Sequence, residues 1–178
     1  MYNIERSEKT IKVDEYIKGY VNVEEFLQYC KECKNYEAVW SCPSYNFNPE
    51  DYWKEYDEFL VVARKIIFGP DVDVERSFEI MYEVKDDMSR ELYELEKEYP
   101  GSISLSAGSC SMCKEGCTRT EGLPCRYPDL MRYSIESLGG NVGKTVSKLM
   151  GYELERVEEG KLPSYFVLVG GLLKNRKF

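Results

Sequence analysis

The chain has 178 residues, of which 43% are hydrophobic, 31% charged and 13% aromatic; that is enough for one well-packed core, and a single domain over residues 1–178 is expected. Its formal charge of −8 argues against nonspecific nucleic-acid binding, which draws its free energy from cations displacing phosphate counterions. Seven cysteines and no histidine exclude imidazole bases, the usual triads and every mixed Cys/His zinc site, leaving sulfur or carboxylate to hold any metal.

The opening Met1-Tyr2-Asn3-Ile4-Glu5-Arg6-Ser7-Glu8-Lys9 lacks the basic start and apolar stretch of a secretory signal. No apolar run approaches the ~18 residues that cross a bilayer. A cytoplasmic protein away from the membrane is therefore expected, in a compartment where clustered thiols hold metal more often than they pair. A first strand is expected over residues 11–20. Asn22 then reads as an N-cap, with Glu25 at the capping-box position of a short helix that carries Cys30 and Cys33 near its end. Spaced i, i+3, these thiols share a helix face or one turn of a loop, and either brings them close. Past Trp40-Ser41-Cys42-Pro43, the run Asn48-Pro49-Glu50-Asp51 supplies an N-cap, a helix-opening proline and two first-turn acids. A short helix to about Tyr56 is predicted.

Residues 58–68, rich in Val, Ile and Phe and stopped by Gly69-Pro70, read as a buried, central strand. From residue 71 to 99, Val74, Phe78, Met81, Val84, Met88, Leu92, Leu95 and Tyr99 recur at steps of three and four, the pattern of a long helix with a core-facing stripe. Ile103 and Leu105 alternate with serines as a short strand that runs into Gly108. Residues 127–138 and 142–150 read as helical, broken at Gly139-Gly140 and closed by Gly151. A hairpin of residues 152–157 and 165–172, turning at Glu159-Gly160, is expected to follow. The run Gly139-Gly140-Asn141-Val142-Gly143-Lys144-Thr145 imitates a phosphate loop, but that motif needs glycine where Leu138 stands and a strand ahead of it.

The later cysteines, Cys110-x2-Cys113-x3-Cys117-x7-Cys125, put four thiols within sixteen residues. An iron–sulfur cube needs four thiolates converging from different directions, and loops with Gly108, Gly116, Gly122 and Pro124 are a natural carrier. The spacing differs from the bacterial ferredoxin run Cx2Cx2Cx3CP. Four thiolates also suit tetrahedral zinc, although zinc ribbons usually carry two separated CxxC pairs. Lys114, Arg119, Arg126 and Arg132 crowd this stretch, where cations offset a cluster's negative charge, or else form ordinary solvated surface. The earlier set, Cys30-x2-Cys33-x8-Cys42, supplies three thiols, enough to hold a cube with one iron open as a Lewis acid. The alternatives there are structural thiols, or a zinc site completed by Glu32 or Glu37.

Cys30-x2-Cys33 with Tyr36, Trp40-Ser41-Cys42-Pro43, Cys110-x2-Cys113, Pro124-Cys125-Arg126-x-Pro128, Ser134-x-Glu136 and Val142 together resemble a bacterial and archaeal family of predicted metal-binding proteins of unknown function. The resemblance covers most of the chain and implies metal binding through these cysteines, without supplying a reaction. Ser44 stands where family members usually carry a second proline, which leaves the cysteines untouched.

The expected fold is α+β, a mixed or antiparallel sheet backed by the long helix, with a ferredoxin-like split βαβ arrangement as the finer guess and the cysteine groups on loops at the sheet's edge. The leading functional expectation is an iron–sulfur protein for redox or sulfur chemistry. It would hold one [4Fe-4S] cluster on Cys110, Cys113, Cys117 and Cys125 and a second on Cys30, Cys33 and Cys42, and would work with a redox protein partner. A zinc-stabilised binding module and an enzyme using an open iron are the alternatives.

Overall fold

The computed structural model describes residues 1–155 and 161–175. Strand β1 (Tyr2–Lys12) runs antiparallel to β2 (Glu58–Phe68) along its whole length, from Tyr2 opposite Phe68 to Lys12 opposite Glu58. On the other side β2 pairs with β4 (Tyr165–Lys174), which pairs in turn with the short β3 (Ile103–Leu105). The result is a four-stranded antiparallel sheet in the order β1-β2-β4-β3. Every neighbouring pair is antiparallel, and β4 lies between β2 and β3, the two strands that the long helix Val74–Glu98 connects, as in one split βαβ unit; the order does not establish the full ferredoxin-like arrangement. The α+β class and the interior place of β2 are as the sequence indicates.

Residues 11–20 are a correction, because only Ile11 and Lys12 belong to a strand. Val13, Tyr16, Ile17 and Tyr20 fall at helical spacing and form α1 (Val13–Tyr20), while the strand before it is a charged edge that carries little hydrophobic signal. Tyr16 is fully buried between Tyr20, Trp53 and Phe59, with ring centroids 5.0, 5.1 and 4.9 Å away, and its hydroxyl shares a 2.6 Å hydrogen bond with Thr145. Helix α2 (Val23–Lys31) opens on Asn22 as expected, and α3 (Pro49–Lys54) opens on Asn48.

The sheet separates two layers. On one face α4 (Val74–Glu98) lays Ile80, Val84, Met88 and Leu92 against Val62 and Ile66 of β2. Val74 and Phe78, the first two members of the expected stripe, are largely exposed, and Ile80 takes the buried place instead. On the opposite face Phe59, Val61 and Ala63 pack against Val13, Tyr16, Trp53, Ile135, Leu138 and Val146. Because β2 is covered on both sides, it reads as a continuous apolar run without strict alternation.

Residues 127–138 are not a helix. They form a loop that ends in a 3-10 turn at Glu136–Leu138, and Ser106 N–H donates to the Tyr133 carbonyl (2.8 Å), tying the two ends of the excursion together. After Asn141 the chain is helical as expected, as α5 (Val142–Lys144) continued by a π turn, Thr145–Leu149, and Gly151 follows at φ 76°. Residues 152–155 carry no strand: the Tyr152 hydroxyl donates to Ser7 (3.0 Å), the Glu153 carbonyl accepts from the Tyr165 hydroxyl, and Glu155 accepts from Ser164 N–H at 2.6 Å; residues 156–157 of that expected strand lie outside the described residues. The expected turn at Glu159-Gly160 lies outside the described residues. Among the described residues no helix is long and apolar enough to cross a membrane.

Candidate metal centre

Helix α2 presents Cys30 in its last turn, and Cys33 N–H donates to the Cys30 carbonyl (3.0 Å), so the helical path carries the second thiol onto the same side. The chain then folds back on itself. Glu37, at a left-handed φ of 54°, donates its N–H to the Pro43 carbonyl (2.8 Å), and Cys42 N–H donates to Val39 (3.0 Å). Cys30, Cys33 and Cys42 thereby border one cavity of about 190 Å³, together with Asn35, Tyr36, Gly108, Ser109 and Glu136. Neither Glu32 nor Glu37 lines it, and the Glu37 carboxylate accepts from the Ser44 hydroxyl (2.7 Å). The acid at this cavity is Glu136, contributed by the 3-10 turn.

Cys110, Cys113, Cys117 and Cys125 border a second cavity of about 180 Å³, roofed by Val39, Trp40, Met112, Tyr127 and Met131. Gly108, Gly116 and Gly122 hold positive φ of 78°, 93° and 70°, which lets the short loops turn their backbone inward. Trp40 N–H donates to the Cys117 sulfur at 3.4 Å, the kind of bond that tunes a sulfur ligand. Among the described residues no three acidic or thiol side chains converge on a point where one ion could sit; the thiols stand around the cavity walls. All seven are unpaired, Cys33 exposed and the other six half-buried.

The two cavities are neighbours because the two cysteine segments are laced together. Cys110 N–H donates to the hydroxyl of buried Ser41 (2.9 Å), whose oxygen lies 4.0 Å from the Cys42 sulfur. Asn35 donates to Ser109 (3.1 Å) and the Trp40 ring N–H to the Leu123 carbonyl (3.1 Å). Arg119 donates to the carbonyls of Val39 (3.0 Å), Cys42 and Ser44 (2.7 Å), with its guanidinium 5.2 Å from the Trp40 ring centre. It is thus a clasp between the segments. Arg126 sits by Cys113 and the Gly116 carbonyl (2.8 Å), whereas Arg132 is engaged with Glu96 through bonds of 2.8 and 2.7 Å. Lys114 lines a wider polar cavity beside Cys110.

Burial pushes the Cys42 thiol up to about 11 and also raises Cys30 and Cys110, with neighbouring thiols adding to the rise. Thiolates enclosed in this way need a nearby positive charge, which a bound metal supplies. Burial likewise raises the Glu136 carboxyl and lowers Lys85, whose ammonium donates to the Ser109 carbonyl between the two cavities. Ser41, Lys85 and the placement of Glu136 escape sequence reasoning. The signals for Glu136 are its place in Ser134-x-Glu136, one of the motifs that carry the family resemblance, and its standing as a lone acid in the apolar and small-residue run Ser134-Ile135-Glu136-Ser137-Leu138.

Neither the curated proteins nor the solved structures contain a match to this chain. Residues 16–173, which include all seven cysteines, match the family described as "Predicted metal-binding protein (DUF2284)", and the chain belongs to that family of predicted metal-binding proteins.

Proposed function

We propose that the protein is an iron–sulfur protein for redox or sulfur chemistry, with a [4Fe-4S] cluster on Cys110, Cys113, Cys117 and Cys125 and a second cluster on Cys30, Cys33 and Cys42. The observation that carries this is the division of the seven thiols, four and three, between two adjacent cavities of similar size. A zinc ion, ligated by sulfur at about 2.3 Å, would require each set of walls to close on a point. A cube needs its thiolates spread around it, and an all-sulfur donor set suits iron.

When bound, such clusters take up and release electrons at potentials set by their surroundings. The chain's residues supply those surroundings. Trp40, Met131 and Tyr127 cover the four-thiol cavity and lower its dielectric, and the N–H of Trp40 is aimed at sulfur. Ser41 joins the two sites through one hydrogen bond between the Cys42 segment and the Cys110 backbone, a bonded route for electrons. The exposed Cys33 marks the side open to a redox partner or substrate, and the charge of −8 favours a basic partner.

Protein reconstituted without oxygen from ferrous iron and sulfide is expected to be brown, with about eight iron atoms and as much acid-labile sulfide per chain. Cys113→Ala and Cys33→Ala are each expected to remove about half of that iron, from different centres. A colourless protein that takes up zinc and no sulfide would sink the proposal.

A further inference from the structure

We infer that Glu136 is the fourth protein donor of the three-cysteine centre, its carboxylate oxygen occupying the position that a fourth thiolate takes in the other centre. This rests on the proposed second cluster and goes beyond it by naming the group that closes it.

The carboxylate borders the same cavity as Cys30, Cys33 and Cys42. The Ser134 hydroxyl and the Glu136 backbone N–H hydrogen-bond the carboxyl, yet its Oε2 atom is buried and has no hydrogen-bond partner among the described residues. Buried polar atoms without partners are rare, and buried carboxylates are paired or bind metal. The nearest buried cation does not meet the need, since the Lys85 ammonium donates to the Ser109 carbonyl and no ion pair joins it to Glu136 among the described residues.

The backbone fixes the carboxyl where it stands. Trp53 donates its ring N–H to the Leu138 carbonyl (3.0 Å), Asn22 N–H donates to the Gly139 carbonyl (2.8 Å), and Asn141 N–H donates to Tyr20 (2.7 Å). Gly139, at φ 82°, lies so close to the Val23 backbone that a side chain there would collide with it. The turn is thus held against α2, the helix that delivers Cys30. On its far side Glu136 borders a small cavity lined mostly by apolar residues, among them Val23, Leu27, Tyr45 and Phe47. A hard oxygen donor would hold its iron less firmly than a thiolate does, so this iron would be the one open to ligand exchange.

The test uses the full chain, reconstituted with ferrous iron and sulfide in which the iron is isotopically enriched for Mössbauer spectroscopy. In the wild type one iron in about eight is expected to show a distinct, oxygen-ligated subsite. On one-electron oxidation by ferricyanide, which takes the electron released as a four-iron cluster gives a three-iron cluster and ferrous iron, Glu136→Gln is expected to lose about one iron per chain more readily than the wild type and to gain the electron paramagnetic resonance signal of a three-iron cluster. Glu136→Cys is expected to keep all the iron and abolish the distinct subsite. Should Glu136→Gln prove unstable, the cysteine variant decides alone. If the second centre forms and both variants match the wild type in iron count and spectrum, the assignment of Glu136 is overturned while the two-cluster reading stands. If the wild type holds only about four iron atoms, the second centre and its fourth donor both fall.

Discussion

On one face of the sheet α4 packs Ile80, Val84, Met88 and Leu92 against β2, and its Glu91 takes ion pairs from Arg6 (2.6 Å) and Arg64. On the other face, beyond the aromatic core around Tyr16 and Trp53, residues 32–48 and 106–135 cross with little regular structure. There they are joined by hydrogen bonds from Asn35, Cys110, Trp40 (two) and Arg119 (three). The first side is stabilised by apolar area and needs nothing from outside the chain. The second relies on hydrogen bonds worth about 1 kcal/mol each net, so much of its order is expected to come from what the cysteines bind.

The largest effect that separates the two sides is expected at Ile80, which packs with Ile66 and Val84 away from both cavities. Ile80→Ala should lower global stability by about 2–5 kcal/mol while leaving the iron bound per folded chain unchanged. Urea unfolding and metal analysis of the same preparation check it, and a parallel loss of iron would mean that the two sides are not independent.

Next comes one link between them, beside those from Lys85 to the Ser109 carbonyl and from Tyr93 to the Leu130 carbonyl. Glu96 of α4 accepts from Arg132, at the end of the cysteine loop, and from Ser104 of β3 (2.7 Å to its N–H). Desolvation pushes Glu96 up, but the hydrogen bonds from Arg132 and Ser104 outweigh it and hold the carboxyl below its ordinary value. A depressed carboxyl contributes stability above its unfolded pKa of about 4.3 and loses it as pH falls through the lower folded value. Arg132→Ala should therefore cost about 3 kcal/mol near neutral pH, and the difference from wild type should shrink as pH drops below about 4. Unfolding curves from neutral to acid pH measure it; a difference that stays constant would show that charge plays no part in the link.

The sequence makes the first side easier to read than the second. β2 and α4 are legible because burial on both faces gives a run of Val, Ile and Phe, and because a 25-residue helix repeats its period many times. The caps at Asn22 and Asn48 are legible because local chemistry alone sets them. β1 is missed because an edge strand is selected to be charged. Residues 127–138 mislead because Tyr127, Leu130, Met131, Ile135 and Leu138 fall at steps of three and four, while the bond between Ser106 and Tyr133 that closes the loop is between residues far apart in sequence. The division of cysteines into four and three is visible in their spacing, but the contact of the two groups through Ser41 depends on tertiary crossing, as does the placing of Glu136.

The smallest expected effect is local and sharpens the comparison most. α2 has no fully buried residue, so packing gives it little, and its start depends on Asn22. That side chain accepts from Glu25 N–H (3.1 Å) and donates to the Glu25 carboxylate (3.0 Å). Asn22→Ala removes the cap at a cost of about 1 kcal/mol, which lowers Tm by about 2–4 °C in a chain of this size. Because α2 carries Cys30 and leans on the Gly139 turn next to Glu136, the change should speed iron loss from the three-thiol centre to a chelator and leave the four-thiol centre at the wild-type rate. Equal acceleration at both centres would mean that the lacing through Ser41 and Arg119 makes them a single unit that opens together.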